Sequence, residues 1–139
     1  IGADAVIDRR QQDVTEAALQ LTDGKGVSMV FDPVGGKAGR AAFKAMAFEG
    51  KFIVIGYASG EWVQIALRET LMKNISLVGA MPVGYSAEQV MAAHQDLLHH
   101  WRQGQLEVTN CQVFDFDDAR SAIAHIAAGK VEGKVVVRL

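Results

Sequence analysis

Val27-Ser28-Met29-Val30-Phe31-Asp32-Pro33-Val34-Gly35-Gly36 decides the fold class. Its first six residues are too short for a helix and too continuously apolar for a strand with one wet face; strands covered on both faces of a parallel sheet read this way. Pro33 to Gly36 then turns the chain. Ala38, Ala41, Ala42 and Ala45 recur at helical spacing, so a small-residue face is expected to lie close to a sheet, with Gly50 closing the helix. Phe52-Ile53-Val54-Ile55-Gly56 is a second continuous strand, and residues 27 to 56 make one βαβ unit of the usual length.

The alternation continues on either side. Upstream, Asp13 and Glu16 form a capping-box-like pair before Val14, Ala17, Ala18 and Leu21, an amphipathic helix ending near Gly24. Ala5-Val6-Ile7 reads as a brief buried strand before it. Downstream, a polar loop at Ser59-Gly60-Glu61 leads to a short helix near Glu69 to Lys73 and a third strand, Ile75 to Met81. Ser86 and Gln89 cap the longest helix, whose stripe of Val90, Ala93, Leu97, Leu98 and Trp101 ends at Gly104. A strand around Gln112 to Phe114 follows, then a helix with Asp117 as N-cap and Gly129 as stop. The last strand, Gly133 to Leu139, has too little chain after it for a further βαβ unit and is expected to pair outside the parallel sheet. The fold class is α/β: a partial Rossmann, doubly wound parallel sheet lacking its first βαβ unit, with a C-terminal strand-helix-strand return.

Composition narrows the function. The chain has 139 residues, 50% hydrophobic, with 14 basic against 16 acidic side chains. That balance carries no basic footprint for nucleic acid and no polybasic signal for anionic membrane. No apolar stretch approaches the ~18 residues of a membrane span. The single cysteine, Cys111, cannot form an internal disulfide, and no Cys/His set has zinc-site spacing, so a reducing, cytoplasmic location is expected and no metal ligand is named. Because residue 1 is Ile rather than Met, the chain is expected to be a piece of something longer.

Three strands of one parallel sheet share a direction, and open α/β sheets hold ligands at the carboxyl ends of their strands. Each end here carries glycine: Asp32 to Gly36, Ile55 to Gly60, and Val78 to Met81. Glycine lets backbone groups approach a flat or sugar-like ligand closely, although any of these glycines can equally turn the chain or pack on a helix.

These blocks, with Ala3 to Asp8, Leu21 to Val27, Lys73 to Gly79 and the terminal Gly133 to Val137, resemble in order the medium-chain dehydrogenase/reductase family, zinc-type alcohol dehydrogenase-like, and most closely its quinone oxidoreductase-like branch. The resemblance places Ile1 just beyond the second strand of a nucleotide-binding domain. It implies that the G-x-G-x-x-G turn, the residues choosing NADP or NAD, and a GroES-like catalytic domain bearing any zinc ligands lie upstream. It further implies residues 1–104 as the C-terminal part of the NAD(P)-binding domain and residues 105–139 as a segment returning to the catalytic domain. Carried over by position, Val34, Gly35 and Gly36 border the adenosine side of the cofactor. Ile55, Gly56, Tyr57 and Ala58 border the nicotinamide ribose, and Gly79, Ala80 and Met81 the nicotinamide. NADPH is favoured over NADH by the resemblance alone.

No catalytic residue is named, because the protein's part in hydride transfer is chiefly to orient the ring. The implied activity is reduction of a small quinone or enone, with the isolated chain inactive. The alternative is a truncated, non-catalytic nucleotide-binding or dimerisation module, a homodimer joined through the 75–81 strand. A methyltransferase-like domain is disfavoured by the lack of a first glycine-rich loop, and a short-chain reductase by the lack of Tyr-x-x-x-Lys: Glu61 follows Tyr57, and Gln89 follows Tyr85. His94, His99 and His100 are expected to be solvated helix residues, Cys111 a buried inert thiol, and Asp115, Asp117 and Asp118 first-turn charges.

Overall fold

A computed structural model describes residues 2–107, 111–129 and 131–139 and divides the chain into two compact units, Ile1–Tyr85 and Ser86–Leu139. The first unit runs α1 (Val14–Leu21), β1 (Val27–Asp32), α2 (Gly36–Lys44), β2 (Met46–Val54), α3 (Leu67–Lys73) and β3 (Ser76–Gly79). All three strands are parallel, in the order β1-β2-β3. Asp13 caps α1 by accepting from the Glu16 N–H at 2.9 Å. Phe43, Met46, Phe52 and Ile75 form the core, with Val30, Val54 and Ile65 packed against it. The Phe43 and Phe52 rings meet edge to face at 5.7 Å.

Both crossover helices lie on one face of this sheet, since Arg40 of α2 forks onto Glu69 of α3 and Phe43 packs on Phe52. The opposite face is not covered within the unit: Met29 is 57% and Phe31 66% exposed. The apolar run of β1 therefore does not mean burial on both sides in this unit, because the three helices α1, α2 and α3 supply only one layer.

Other boundaries differ for identifiable reasons. Ala5-Val6-Ile7 is not a strand and Val6 is 83% exposed, because no described strand pairs with it. Helix α2 ends at Lys44, capped at Ala45, and Gly50 sits inside β2. There Glu49 takes a left-handed φ of 59° and the pairing slips between Val27 and Met29, a bulge admitting extra residues into β2. The buried face of α2 is Gly36, Gly39 and Phe43 rather than the alanine row; Ala41 instead accepts the Thr15 hydroxyl of α1 at 3.0 Å.

The second unit contains α4 (Ala87–Arg102), β4 (Cys111–Asp115), α5 (Ala119–Ala127) and β5 (Lys134–Arg138). Ser86 and Gln89 close the expected capping box: the Gln89 N–H donates to Ser86 Oγ at 3.2 Å, and the Ser86 N–H to Gln89 Oε1 at 3.0 Å. The last strand does pair outside the larger sheet, in parallel with β4. Helix α5 packs on both, so this short segment closes a small βαβ of its own. The cap of α5 is Asp118, one residue later than expected, because Phe116–Asp118 forms a 3₁₀ turn. Residues 108–110 of the expected loop lie outside the described residues. Among the described residues no helix is long and apolar enough to cross a membrane.

Candidate functional site

The three strands of the first unit end in register. Asp32 of β1 lies beside Val54 of β2, and Val54 beside Gly79 of β3, so their carboxyl ends form one rim. The structure brings all ten residues singled out from sequence to this rim or the turns leaving it. Val34, Gly35 and Gly36 follow β1; Ile55, Gly56, Tyr57 and Ala58 follow β2; Gly79, Ala80 and Met81 end β3.

The turns are laced together through their N–H groups. Ile55 and Gly56 both donate to the Asp32 carbonyl, at 3.0 and 3.3 Å; Ala58 donates to Pro33 at 3.1 Å, Ser59 to Val34 at 2.9 Å, and Ala80 to Val54 at 3.0 Å. Five backbone donors are thereby spent inside the protein. A rim of this kind lacks the cluster of free N–H groups that cradles a phosphate. It suits an uncharged ligand surface held by contact and by carbonyl acceptors.

Asp32 strengthens that conclusion. Its side chain is buried, with only 6% of the residue exposed, and Oδ1 accepts the Val34 and Gly35 N–H groups, each at 2.9 Å. Oδ2 is buried against Gly39 with no hydrogen-bond partner. A carboxylate thus occupies the start of α2 and offsets the positive end of the helix dipole that would otherwise draw an anion.

The glycines of the rim do not have equal access. Gly35 adopts φ 69° and ψ −156°, and a Cβ built there would run into the Glu61 carbonyl oxygen. One built on Gly36 would lie 2.8 Å from Ser59 Oγ. The loop at 59–61 fills the space over both. Gly79 is the contrast: a Cβ there meets nothing within 4 Å. Tyr57 does not stand alone either, because its ring packs on Trp62 with centroids 4.3 Å apart, both residues about half exposed.

Sequence reasoning passed over a second feature of this unit. A cavity of about 620 Å³ opens beside the first turn of the rim, walled by Arg9, Arg10 and Asp13 from the segment entering α1, by Val34 and Lys37 from the start of α2, and by Glu61. The Arg9-Arg10 doublet was the available signal. Its neighbours lie more than twenty residues away, so no local pattern marks them.

Between α2 and α3, Arg40 donates from Nη1 to Glu69 Oε2 at 2.7 Å, and from Nη2 to Oε1. The paired guanidinium holds the Glu69 carboxyl below the usual carboxylate range, chiefly through these hydrogen bonds. This pair ties two helices together well away from the rim turns.

In the second unit His94, His99 and His100 are exposed on α4, as expected, with His100 Nδ1 2.6 Å from Gln105 Oε1. Cys111 is exposed rather than buried, at the first position of β4. Among the described residues no three His, Cys, Asp or Glu side chains come together as a metal ion requires. These residues do not fit a zinc ion.

Comparison with known proteins places these features in a family. The family model described as zinc-binding dehydrogenase matches residues 1–137. A quinone oxidoreductase-like protein 2 homolog from Nematostella vectensis is 31% identical over 141 residues, 99% of this chain but 39% of that protein. The Bos taurus quinone oxidoreductase-like protein 2 is 27% identical, over 99% of this chain and 40% of its own length. The chain thus spans about 40% of these curated relatives. The structure of Escherichia coli quinone oxidoreductase complexed with NADPH superposes with a TM-score of 0.85 at 23% identity, covering 99% of this chain and 44% of that one. At that identity the likeness is one of fold.

Proposed function

Because the chain belongs to the zinc-binding dehydrogenase family, we propose that it is the C-terminal portion of an NAD(P)H-dependent oxidoreductase of the quinone or enone reductase kind, and that its rim positions the nicotinamide half of the cofactor. The observation carrying this reading is the register of Asp32, Val54 and Gly79, which lines up three strand ends and leaves open space at the third. Similarity to quinone oxidoreductase-like proteins, and a fold shared with an NADPH complex, supports a nicotinamide dinucleotide as the ligand.

The cradle fits such a ligand in chemical terms. Gly79, Ala80 and Met81 would border the nicotinamide, and Ile55, Gly56, Tyr57 and Ala58 its ribose. Val34, Gly35 and Gly36 would border the adenosine side, with the last two acting through the loop they support. When bound, the cofactor supplies the hydride; the residues of this chain orient it and screen it from water. With the rim N–H groups already bonded internally, the uncharged nicotinamide riboside suits this edge better than the pyrophosphate does. Residues 1–104 would serve the nucleotide domain and 105–139 the return to a catalytic domain. Substrate reduction by the isolated chain is expected to be slight, since the polypeptide corresponds to under half of its relatives.

The test is a titration of the 139-residue chain with NADPH, followed by nicotinamide fluorescence, alongside Gly79→Val. Saturable binding that the variant weakens without lowering the melting temperature supports the reading. Binding indifferent to a side chain at 79 would remove the nicotinamide from this edge.

A second reading has its own observation. Ser76–Gly79 is exposed throughout and pairs only with β2 among the described strands, so one side of β3 is available to a second copy. A stable module dimerising through residues 75–81 without binding NADPH would show a doubled mass in light scattering and a flat titration.

A further inference from the structure

We propose that the cavity beside the rim is a subsite for the phosphate on the adenosine 2′-oxygen of the cofactor, so that this chain itself prefers NADP over NAD. The inference rests on the proposed dinucleotide reading and deepens it. It starts from a charge inventory. Arg9, Arg10 and Lys37 wall the cavity, against Asp13 and Glu61. Asp13 is occupied in capping α1, where Oδ1 accepts from the Glu16 N–H at 2.9 Å. The nearby Asp8 carboxylate accepts from the Arg10 backbone N–H at 2.9 Å. Among the described residues the ion pairs are Arg40–Glu69 and Arg138–Asp115, so no salt bridge joins Arg9, Arg10 or Lys37 to a carboxylate. Three cations around one concavity, without an acidic partner in contact, leave it positive.

The identity of the anion follows from position. Val34 and the 59–61 loop belong both to the cavity wall and to the rim turns, so the cavity continues the rim at the end opposite Gly79. A dinucleotide with its nicotinamide at Gly79 brings its adenosine end here. The backbone donors along the rim are spent and Asp32 sits at the start of α2, so recognition of a charged group falls to side-chain cations. Arginine suits a phosphate monoester because its planar fork donates two parallel hydrogen bonds. An arginine near the adenosine ribose is the physical means by which nucleotide-binding folds accept a 2′-phosphate. A volume of about 620 Å³ falls within the roughly 300–1,000 Å³ of small-molecule sites.

The experiment is calorimetric titration of the 139-residue chain with adenosine 2′,5′-bisphosphate, 5′-AMP, inorganic phosphate, NADPH and NADH, repeated on Arg9→Gln, Arg10→Gln and Glu61→Gln. The bisphosphate is expected to bind more tightly than 5′-AMP or inorganic phosphate, and NADPH more tightly than NADH. Each arginine variant should lose about tenfold for the 2′-phosphorylated ligands, the scale of one charge-assisted contact, with no change for 5′-AMP or NADH. Glu61→Gln should tighten the bisphosphate, a gain that misfolding cannot imitate. NADPH and NADH binding equally, and indifferently to both arginines, would overturn the subsite and leave the rim reading standing. Bisphosphate binding that depends on the arginines, with no binding contribution from nicotinamide, would keep the subsite and sink the rim reading. Inorganic phosphate matching the bisphosphate would reduce the cavity to an unselective anion patch and overturn the inference.

Discussion

Gly35→Ala is the substitution whose effect follows most directly from the geometry. The residue's φ of 69° and ψ of −156° lie in a region essentially reserved for glycine, and forcing alanine into it costs about 1–3 kcal/mol. The added Cβ would also run into the Glu61 carbonyl oxygen while touching Gly56 O and Tyr57 Cα at 3.4 Å. All three are backbone atoms, so no rotamer change relieves the overlap, and overpacking of this kind costs roughly another 1–3 kcal/mol. Relief requires moving the 59–61 loop, which is held by the Ser59 N–H on the Val34 carbonyl at 2.9 Å. A combined loss of about 3 kcal/mol corresponds to a drop of roughly 12–24 °C in melting temperature for a domain of this unit's size. Circular dichroism melts and urea titrations measure it. Gly79→Ala is the control, with an ordinary backbone conformation and no neighbour within 4 Å, and should stay within about 0.5 kcal/mol of the parent. If Gly35→Ala melts alongside the Gly79 control, the loop does not close over the first turn, and the assignment of Gly35 to packing falls.

Two other perturbations probe the scaffold. Phe52 is fully buried and faces Phe43 edge to face, so Phe52→Ala should cost about 3–5 kcal/mol in urea denaturation, whereas an equal change at exposed Phe48 should cost far less. The Arg40–Glu69 fork gives a signed pH effect. Because the Glu69 carboxyl is lowered in the folded protein, its contribution is present above the ordinary carboxylate value and is lost as pH falls through the lowered one. Stability against pH should therefore fall more steeply in acid for the parent than for Arg40→Gln, and the two curves should converge at the acid end; parallel curves would refute the coupling.

What the sequence made legible was local. The Asp13 cap, the reciprocal Ser86 and Gln89 bonds, the strand cores at 27–32 and 52–54, and the stop at Gly104 each depend on a few adjacent residues. The misses all depend on distant partners. Val6 lacks a strand to pair with, and Gly50 reads as a helix stop only until the bulge at Glu49 is known. The alanine row of α2 faces α1 and the cavity because Gly36, Gly39 and Phe43 take the sheet side. At the candidate site the order of the three glycine-bearing ends was readable from strand alternation. The Tyr57–Trp62 pairing and the meeting of Arg9, Arg10 and Lys37 were not, since each joins segments that only the fold brings together.

Charge and hydrogen bonding divide this unit into two kinds of surface. Along the rim, every turn donor needed to hold one strand end against the next is already used, and Asp32 places a buried carboxylate where α2 would otherwise attract an anion. That edge can discriminate by shape, and Gly79 is where it stays open. Beside it, the cavity has cations without acidic partners in contact and so discriminates by charge. A ligand satisfying both must be flat and uncharged at one end and anionic at the other. Inorganic phosphate meets only the second demand and a free nicotinamide only the first, whereas a phosphorylated dinucleotide meets both. If the two surfaces act on one molecule, the loss from Gly79→Val and the loss from Arg10→Gln should fall on NADPH together, while adenosine 2′,5′-bisphosphate feels only the second.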